Sequence, residues 1–130
     1  MKYLFIILIA FSFIGCNGED VTPTSKTIYA TFTIPNNTSI YMMTGSCNAS
    51  GNAMETSGSQ DIPLPSGTTI TTDPGVISYF PITVVCGYNL SSQDVNDILN
   101  TEVEISLYVD DELYETRLVT GGGSHNFIVE

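Results

Sequence analysis

The chain has 130 residues, and its 14 acidic side chains outnumber three basic ones, which gives a formal net charge of −11. A chain of this length forms one domain that can bury its own core. Binding to nucleic acid relies on positive charge that neutralises phosphates, so the acidic balance argues against a nucleic-acid partner. The same charge disfavours attraction to anionic lipid headgroups.

The first 15 residues have the organisation of a secretory signal peptide. Lys2 precedes an apolar run from Tyr3 to Ile14, which is well short of the roughly 20 residues that a membrane-spanning helix needs. Gly15 and Cys16 follow this run. The ending resembles the lipobox of bacterial lipoproteins, in which the cysteine thiol is acylated and the chain is cut before it.

This resemblance implies three segments: a signal peptide over 1–15, a lipidated Cys16 with a polar tether over 16–25, and a domain over 26–130. Acylation of Cys16 also explains the odd number of cysteines, three in all. The acidic pair Glu19–Asp20 resembles the export signal of Bacteroidetes lipoproteins, which implies an outer-membrane and surface-exposed location. The alternative is a secreted protein without lipid, from which Cys16 is removed or in which it stays a thiol.

The domain begins with alternation of period two. Ile28, Ala30, Phe32 and Ile34 alternate with polar or amphipathic side chains, which predicts a half-buried strand. We expect residues 39–44 to return as its hairpin partner. The segment 45–60 is rich in Gly, Ser and Asn, so it is predicted to be a loop.

The middle of the chain is predicted to contain two further strands and one short helix. Residues 68–72 form the first of these strands, and 76–87 form one continuous strand whose inner face carries Phe80, Ile82, Val84 and Cys86. Pro81 indicates that this strand starts at an edge or a bulge. A serine cap at Ser91 predicts a helix that ends near Leu99.

The last third predicts a hairpin and a final strand. Asp110–Asp111 forms the two-residue turn, with Val109 opposite Glu112. Continued without interruption, this register places Leu107 opposite Tyr114 and Glu104 opposite Arg117 as an opposite-charge pair. A slip by one residue would turn Glu115 and Arg117 inward. Residues 124–130 form the final strand.

Short strands separated by turns predict an all-β fold, an Ig-like antiparallel β-sandwich of about seven strands. The stretches 27–33, 44–52, 62–65 and 105–111 are similar to those of small bacterial lipoproteins related to the mycobacterial small membrane accessory proteins of lipid transporters. This resemblance implies an Ig-like fold without catalytic residues, which assists an envelope complex.

Few residues of the chain suggest a covalent, catalytic or metal-binding role. Cys47 and Cys86 are predicted to form a disulfide in an exported domain, and His125 is the only histidine, which leaves catalytic triads and most zinc sites without their ligands. Calcium is weighed for the carboxylates at Asp110–Glu112 and at Asp94 with Asp97, but neither stretch has the EF-hand pattern. We therefore expect no catalytic residues, no metal and no cofactor.

The function expected from these features is that of a lipid-anchored envelope lipoprotein and non-catalytic binding or accessory module. Its partners would be the membrane, through the acyl chains, and an envelope protein or a glycan. Tyr108 beside Leu113 on an outward face is the candidate contact patch. The alternatives are a carbohydrate-handling accessory lipoprotein, with tyrosines as its platform, and a secreted β-sandwich protein without lipid.

Overall fold

The structure is a computed structural model that describes residues 24–36, 39–61 and 63–130. The predicted signal peptide, Cys16 and nearly all of the tether lie outside the described residues. The elements are β1 (Lys26–Ile34), β2 (Met42–Ala49), β3 (Asn52–Glu55), β4 (Ser59–Gln60), β5 (Thr68–Thr71), β6 (Gly75–Ile77), β7 (Ile82–Ser91), α1 (Val95–Asn100), β8 (Glu102–Val109), β9 (Glu112–Thr120) and β10 (Ser124–Val129).

These strands form two antiparallel sheets that pack as a sandwich, as predicted. Sheet I has the order β5-β1-β8-β9, with β6 also pairing with β1. Sheet II has the order β10-β7-β2-β3, with β4 also pairing with β2. The described residues contain ten strands, more than the expected seven, because β3, β4 and β6 are only two to four residues long.

The core lies between the sheets and follows the predicted alternation of β1. Ile28, Ala30, Phe32 and Ile34 are all fully buried. Burial of a side chain such as Phe or Ile contributes about 1.5–3 kcal/mol. Sheet II supplies the opposing layer with Met43, Cys47, Met54, Ile82, Val84, Cys86, Tyr88, Phe127 and Val129.

The hairpin predicted between β1 and β2 is wrong, since the two strands belong to opposite sheets. A connection between sheets uses the same Pro-Asn turn chemistry as a hairpin, so the sequence does not separate the two. The loop predicted over 45–60 is also wrong. There β2 turns at Ser50–Gly51, both with positive φ, into β3. Position 45 has no room for a side chain, because a Cβ on Gly45 would lie 2.6 Å from the Phe32 ring.

The single strand predicted over 76–87 is broken into β6 and β7. The break contains the cis peptide bond Phe80–Pro81, and β7 begins directly after the proline. Phe80 is only partly buried, whereas Ile82, Val84 and Cys86 lie on the inner face as expected. The two halves lie in different sheets because the chain crosses the sandwich between them.

The predicted cap of the helix is wrong by three residues. β7 continues through Ser91, and Asp94 is the N-cap of α1, with its Oδ1 accepting a hydrogen bond from the Asn96 backbone N–H at 2.9 Å. The helix connects sheet II to sheet I, which agrees with the predicted crossing between strands.

The β8–β9 hairpin has the predicted turn but a different register. Val109 lies opposite Glu112, and Asp110 and Asp111 adopt φ values of 51° and 66°. Beyond the turn a β-bulge shifts the pairing, so Leu107 lies opposite Glu115, not Tyr114. The predicted pairing of Glu104 with Arg117 is therefore wrong.

The physical reason is that β9 lies at the edge of sheet I, where most of its residues remain exposed. Arg117 lies opposite Ile105, so Glu115 and Arg117 are on the core side of the sheet, yet their side chains remain 27% and 54% exposed. Arg117 Nη2 contacts Glu115 Oε1 at 2.5 Å. Inward-pointing charges are tolerated on an edge strand and hinder uncontrolled pairing.

Candidate functional site

A groove of about 490 Å³ opens at the end of the sandwich where β7 leads into α1. We call it the end groove. Such a volume lies within the range of small-molecule sites, about 300–1,000 Å³. The groove is lined by Ser39, Tyr41, Pro63, Ser92, Gln93, Asp94 and Asp97.

Backbone hydrogen bonds hold the three chain segments that form the end groove. The Tyr41 N–H donates to the Ser91 carbonyl at 3.0 Å, which ties the approach to β2 to the end of β7. The Tyr41 carbonyl accepts from the Asp61 N–H at 3.0 Å. Because both bonds are to the backbone, the position of the tyrosine is fixed by the sheet edge.

Asp97 accepts hydrogen bonds from two serine hydroxyl groups of the end groove. Its Oδ2 atom accepts hydrogen bonds from Ser39 Oγ and from Ser92 Oγ, the second at 3.3 Å. The Ser92 hydroxyl in turn accepts from the Asp94 N–H at 3.3 Å. The wall therefore presents carboxylate and hydroxyl oxygens next to an aromatic ring, and these groups suit hydrogen bonding to a polar ligand.

The only histidine is elsewhere in the fold. His125 lies on β10 opposite Cys86, and its ring makes an edge contact with Phe127 at a centroid distance of 4.7 Å. The serine hydroxyls of the end groove hydrogen-bond to a carboxylate and do not contact an imidazole. The arrangement supports binding and does not assemble a serine–histidine pair.

The two residues of the candidate contact patch, Tyr108 and Leu113, are neighbours on adjacent strands. Tyr108 lies opposite Leu113 on the outer face of sheet I, and Leu113 is 59% exposed. Tyr29 stacks on Tyr108 with ring centroids 4.9 Å apart and planes 4° apart. Partial burial and, second, the charge of Asp111 raise the pKa of the Tyr29 hydroxyl above its ordinary value of 10.0.

This stacking limits how the tyrosine rings on the outer face of sheet I can contact a ligand. Each ring of the Tyr29–Tyr108 pair turns one face towards the other, so the pair cannot offer both inner faces to a ligand. A flat platform for a sugar ring needs open aromatic faces. A ligand on the outer face of sheet I would therefore contact the outer faces or the edges of these two rings.

Cys47 and Cys86 lie directly opposite one another on β2 and β7 and form a disulfide, with their Cα atoms 4.1 Å apart. The sequence placed Cys47 in a loop, and that placement is wrong. The two residues are 2% and 0% exposed, so the bond belongs to the core. It joins neighbouring strands of sheet II, whereas the disulfide of antibody domains joins the two sheets.

The carboxylates weighed for calcium serve local structure. Asp110 Oδ1 accepts from the Thr27 N–H at 2.8 Å, and Asp94 caps α1. Within the ranges that the structure describes, no three or more metal-ligating side chains are grouped so that they could hold an ion. In the same ranges, no helix has the length and apolar character to cross a bilayer.

Sequence reasoning missed most of the end groove. It noted Asp94 and Asp97 as a carboxylate pair, but it gave no role to Ser39, Tyr41 or Pro63. These residues come from separate segments that only the two-sheet arrangement brings together, so no local motif marks them. Comparison with known proteins finds no family model, no curated protein and no solved structure that matches this chain.

Proposed function

We propose that this chain is a lipid-anchored lipoprotein of the bacterial envelope and a non-catalytic binding module whose ligand occupies the end groove. The anchor is supported by the apolar run before Cys16 and by the small residue that precedes it. The observation that carries the binding role is the position of the groove at the opposite end of the domain from the tether.

The geometry of β1 separates the two ends. Lys26 starts the strand beside the β8–β9 turn, where the Asp110 N–H donates to the Thr27 carbonyl at 2.8 Å. The strand has nine residues, which at about 3.3 Å per residue span roughly 27 Å. Ile34 ends it and leads to Ser39 in the groove wall. The tether therefore joins the domain at the end away from the groove.

The lining of the end groove limits the chemistry of its ligand. Asp94 and Asp97 contribute negative charge, and none of the described residues that line the wall is basic. A phosphate or carboxylate ligand would be repelled, both locally and by the overall charge of −11. Neutral polar ligands fit, since hydroxyl groups can donate to the carboxylates while an apolar face packs on Tyr41.

The second candidate is a carbohydrate-handling accessory lipoprotein, with its glycan in the end groove. The combination of Tyr41, two serine hydroxyls and two carboxylates favours it. The stacked Tyr29–Tyr108 pair does not. A protein partner that inserts a neutral polar loop into the groove is the competing occupant.

Two measurements test the proposal. Palmitate labelling should mark the wild-type chain and leave Cys16→Ala unlabelled and released from membranes. Labelled Cys16→Ala, or an unlabelled wild type, would contradict the anchor. Protease treatment of intact cells should degrade the protein if the acidic pair after Cys16 directs it to the outer surface.

Ligand binding is tested with a glycan array and with cross-linking in intact envelopes. Tyr41→Ala should lose the bound glycan or protein, whereas Tyr79→Ala serves as the matched control because Tyr79 is exposed and lies outside the groove. Equal loss in both variants, or retained binding in Tyr41→Ala, would contradict the assignment of the groove. A glycan hit supports the second candidate, and a stoichiometric protein supports the accessory role.

A further inference from the structure

β9 has an open edge and is exposed over most of its length. Among the described residues it pairs with β8 alone, and none of its residues is fully buried. Its outer edge therefore presents backbone N–H and C=O groups that can pair with another strand. Leu113, Tyr114 and Leu118 are 59%, 43% and 55% exposed, so apolar surface accompanies this edge.

We propose that β9 pairs antiparallel with β9 of a second copy of the chain, around a two-fold axis that passes between the two Thr116 residues. A two-fold interface must be complementary to itself. In this register Arg117 of each copy lies opposite Glu115 of the partner subunit. The pairing therefore forms two opposite-charge cross-strand pairs from one short sequence.

The charges select this register over its neighbours. A shift of two residues in one direction places Arg117 opposite Arg117 of the partner subunit, and a shift in the other direction places Glu115 opposite the partner's Glu115. Like charges directly opposite one another are destabilising. A shift of one residue pairs Glu115 with Leu118 of the partner subunit. Only the register centred on Thr116 matches both charges.

This complementarity matters because the protein is strongly acidic. Arg117 and Lys26 are the only basic residues in the described part of the chain. Two copies with a net charge of −11 repel one another over most of their surfaces. The arginine on β9 offers a local contact that reverses this repulsion, and within its own copy it already contacts Glu115 on the same strand face.

The bulge at the start of β9 keeps the interface short. Pairing with β8 shifts between Leu107 and Tyr108, and the Tyr114 hydroxyl donates to the Ile128 carbonyl of its own domain at 2.9 Å. Regular pairing with a second copy is thus confined to the residues after Tyr114. The interface is accordingly short, and the dimer is weak. The pairing involves none of the described residues that line the end groove, so the interface does not depend on the proposed ligand.

Thiol cross-linking of the detergent-solubilised full-length protein tests the two-fold axis. Thr116→Cys should form a disulfide-linked dimer because the axis brings the two Cα atoms to the about 4.5–5.5 Å of opposing residues. Leu118→Cys is the matched control, because in this register the Leu118 positions of the two copies lie four residues apart along the strands, or about 13 Å. Comparable dimer yields at both positions, or no Thr116→Cys dimer despite maleimide labelling of the thiol, would overturn the proposal.

Charge reversal tests the register. In the Thr116→Cys background, Arg117→Glu or Glu115→Arg should reduce the dimer yield roughly tenfold, since two attractive pairs become repulsive. Coexpression of these two variants with different tags should restore a mixed dimer, because each copy then supplies the charge that the other lacks. Unchanged yields in the single variants, or no mixed dimer when both accumulate to wild-type levels, would refute the proposed pairing.

Discussion

β7 and β9 have similar lengths, ten and nine residues, but only β7 alternates apolar with polar side chains over much of its length. β7 lies between β10 and β2, and its inner residues Ile82, Val84 and Cys86 are buried against sheet I. β9 has one paired edge, and its apolar side chains are at most half-buried. The difference in burial therefore agrees with both the residue pattern and the position of each strand in the sandwich.

This contrast separates the parts of the chain that stabilise the fold from the parts that are free to bind. Changes at the inner face of β7 and at its neighbour β2 remove core contacts or create steric clashes. Changes at the exposed residues of β9 leave the core intact and alter the surface offered to a partner. Substitutions in both strands test this division, beginning at the centre of sheet II.

Removal of the disulfide should have the largest effect on stability. Replacement of Cys47 and Cys86 by Ala, in a chain that also carries Cys16→Ala, should lower the free energy of unfolding by about 4 kcal/mol. The covalent link restricts the unfolded chain across a sequence separation of 39 residues. Denaturant unfolding of the variant and of Cys16→Ala alone measures the difference. A loss below about 1 kcal/mol would contradict a structural role.

Gly45 on β2 tests the tight contact between the sheets. A Cβ at this position would lie 2.6 Å from two carbons of the Phe32 ring, so Gly45→Ala should lower the free energy of unfolding by about 1–3 kcal/mol.

Gly87→Ala on β7 is the matched control for Gly45→Ala. Its Cβ would meet the Ser124 Cβ at 3.4 Å, which is an ordinary contact. Thermal unfolding of both variants checks the pair. Equal loss in the two variants would show that glycine replacement in sheet II is costly for reasons other than the Phe32 contact.

Tyr88 links β7 to the end of β9 through its hydroxyl. That group donates to the Val119 carbonyl at 2.9 Å and accepts from the Gly122 N–H at 3.2 Å. Tyr88→Phe should therefore lower the free energy of unfolding by about 1 kcal/mol at neutral pH. Urea unfolding of the two proteins measures this loss, and a variant as stable as the wild type would contradict it.

The same residue predicts a dependence on alkaline pH. Burial raises the pKa of Tyr88 above its ordinary value of 10.0, an effect larger than the lowering by its backbone hydrogen bonds. Below pH 10 the phenol is protonated in both states. Above it the unfolded chain loses the proton first, so stability falls with rising pH. The fall should be less steep in Tyr88→Phe, and equal slopes would argue against a raised pKa.

The sequence determines strands and their faces more reliably than their neighbours. The alternation in β1 correctly identified Ile28 and Phe32 as inward-facing. It did not show that β1 and β2 belong to different sheets, because a hairpin and a crossing have similar turn residues. The sequence pattern also did not predict the bulge at Tyr114. The predicted register was chosen on the premise that every inward position on β9 is covered by the other sheet.

The candidate site was less predictable than the fold for a related reason. Tyr108 and Leu113 share a hairpin, so local register was enough to place them side by side. Ser39, Tyr41 and Asp97 meet only after the chain has crossed between the sheets. A site that depends on long-range crossings leaves no spacing motif in one sequence, whereas a cross-strand pair does.

The smallest effect on stability is expected at Leu118 on the outer face of β9. Its side chain is 55% exposed, so Leu118→Ala should change the free energy of unfolding of the monomer by no more than about 0.5 kcal/mol. Leu107→Ala is the matched control, because this leucine lies on the neighbouring strand and is fully buried; its loss should be about 2–5 kcal/mol. Denaturant unfolding at low protein concentration measures both values. A cost at Leu118 close to that at Leu107 would mean that β9 is covered in the monomer, and the division between a buried β7 and an open β9 would then fail.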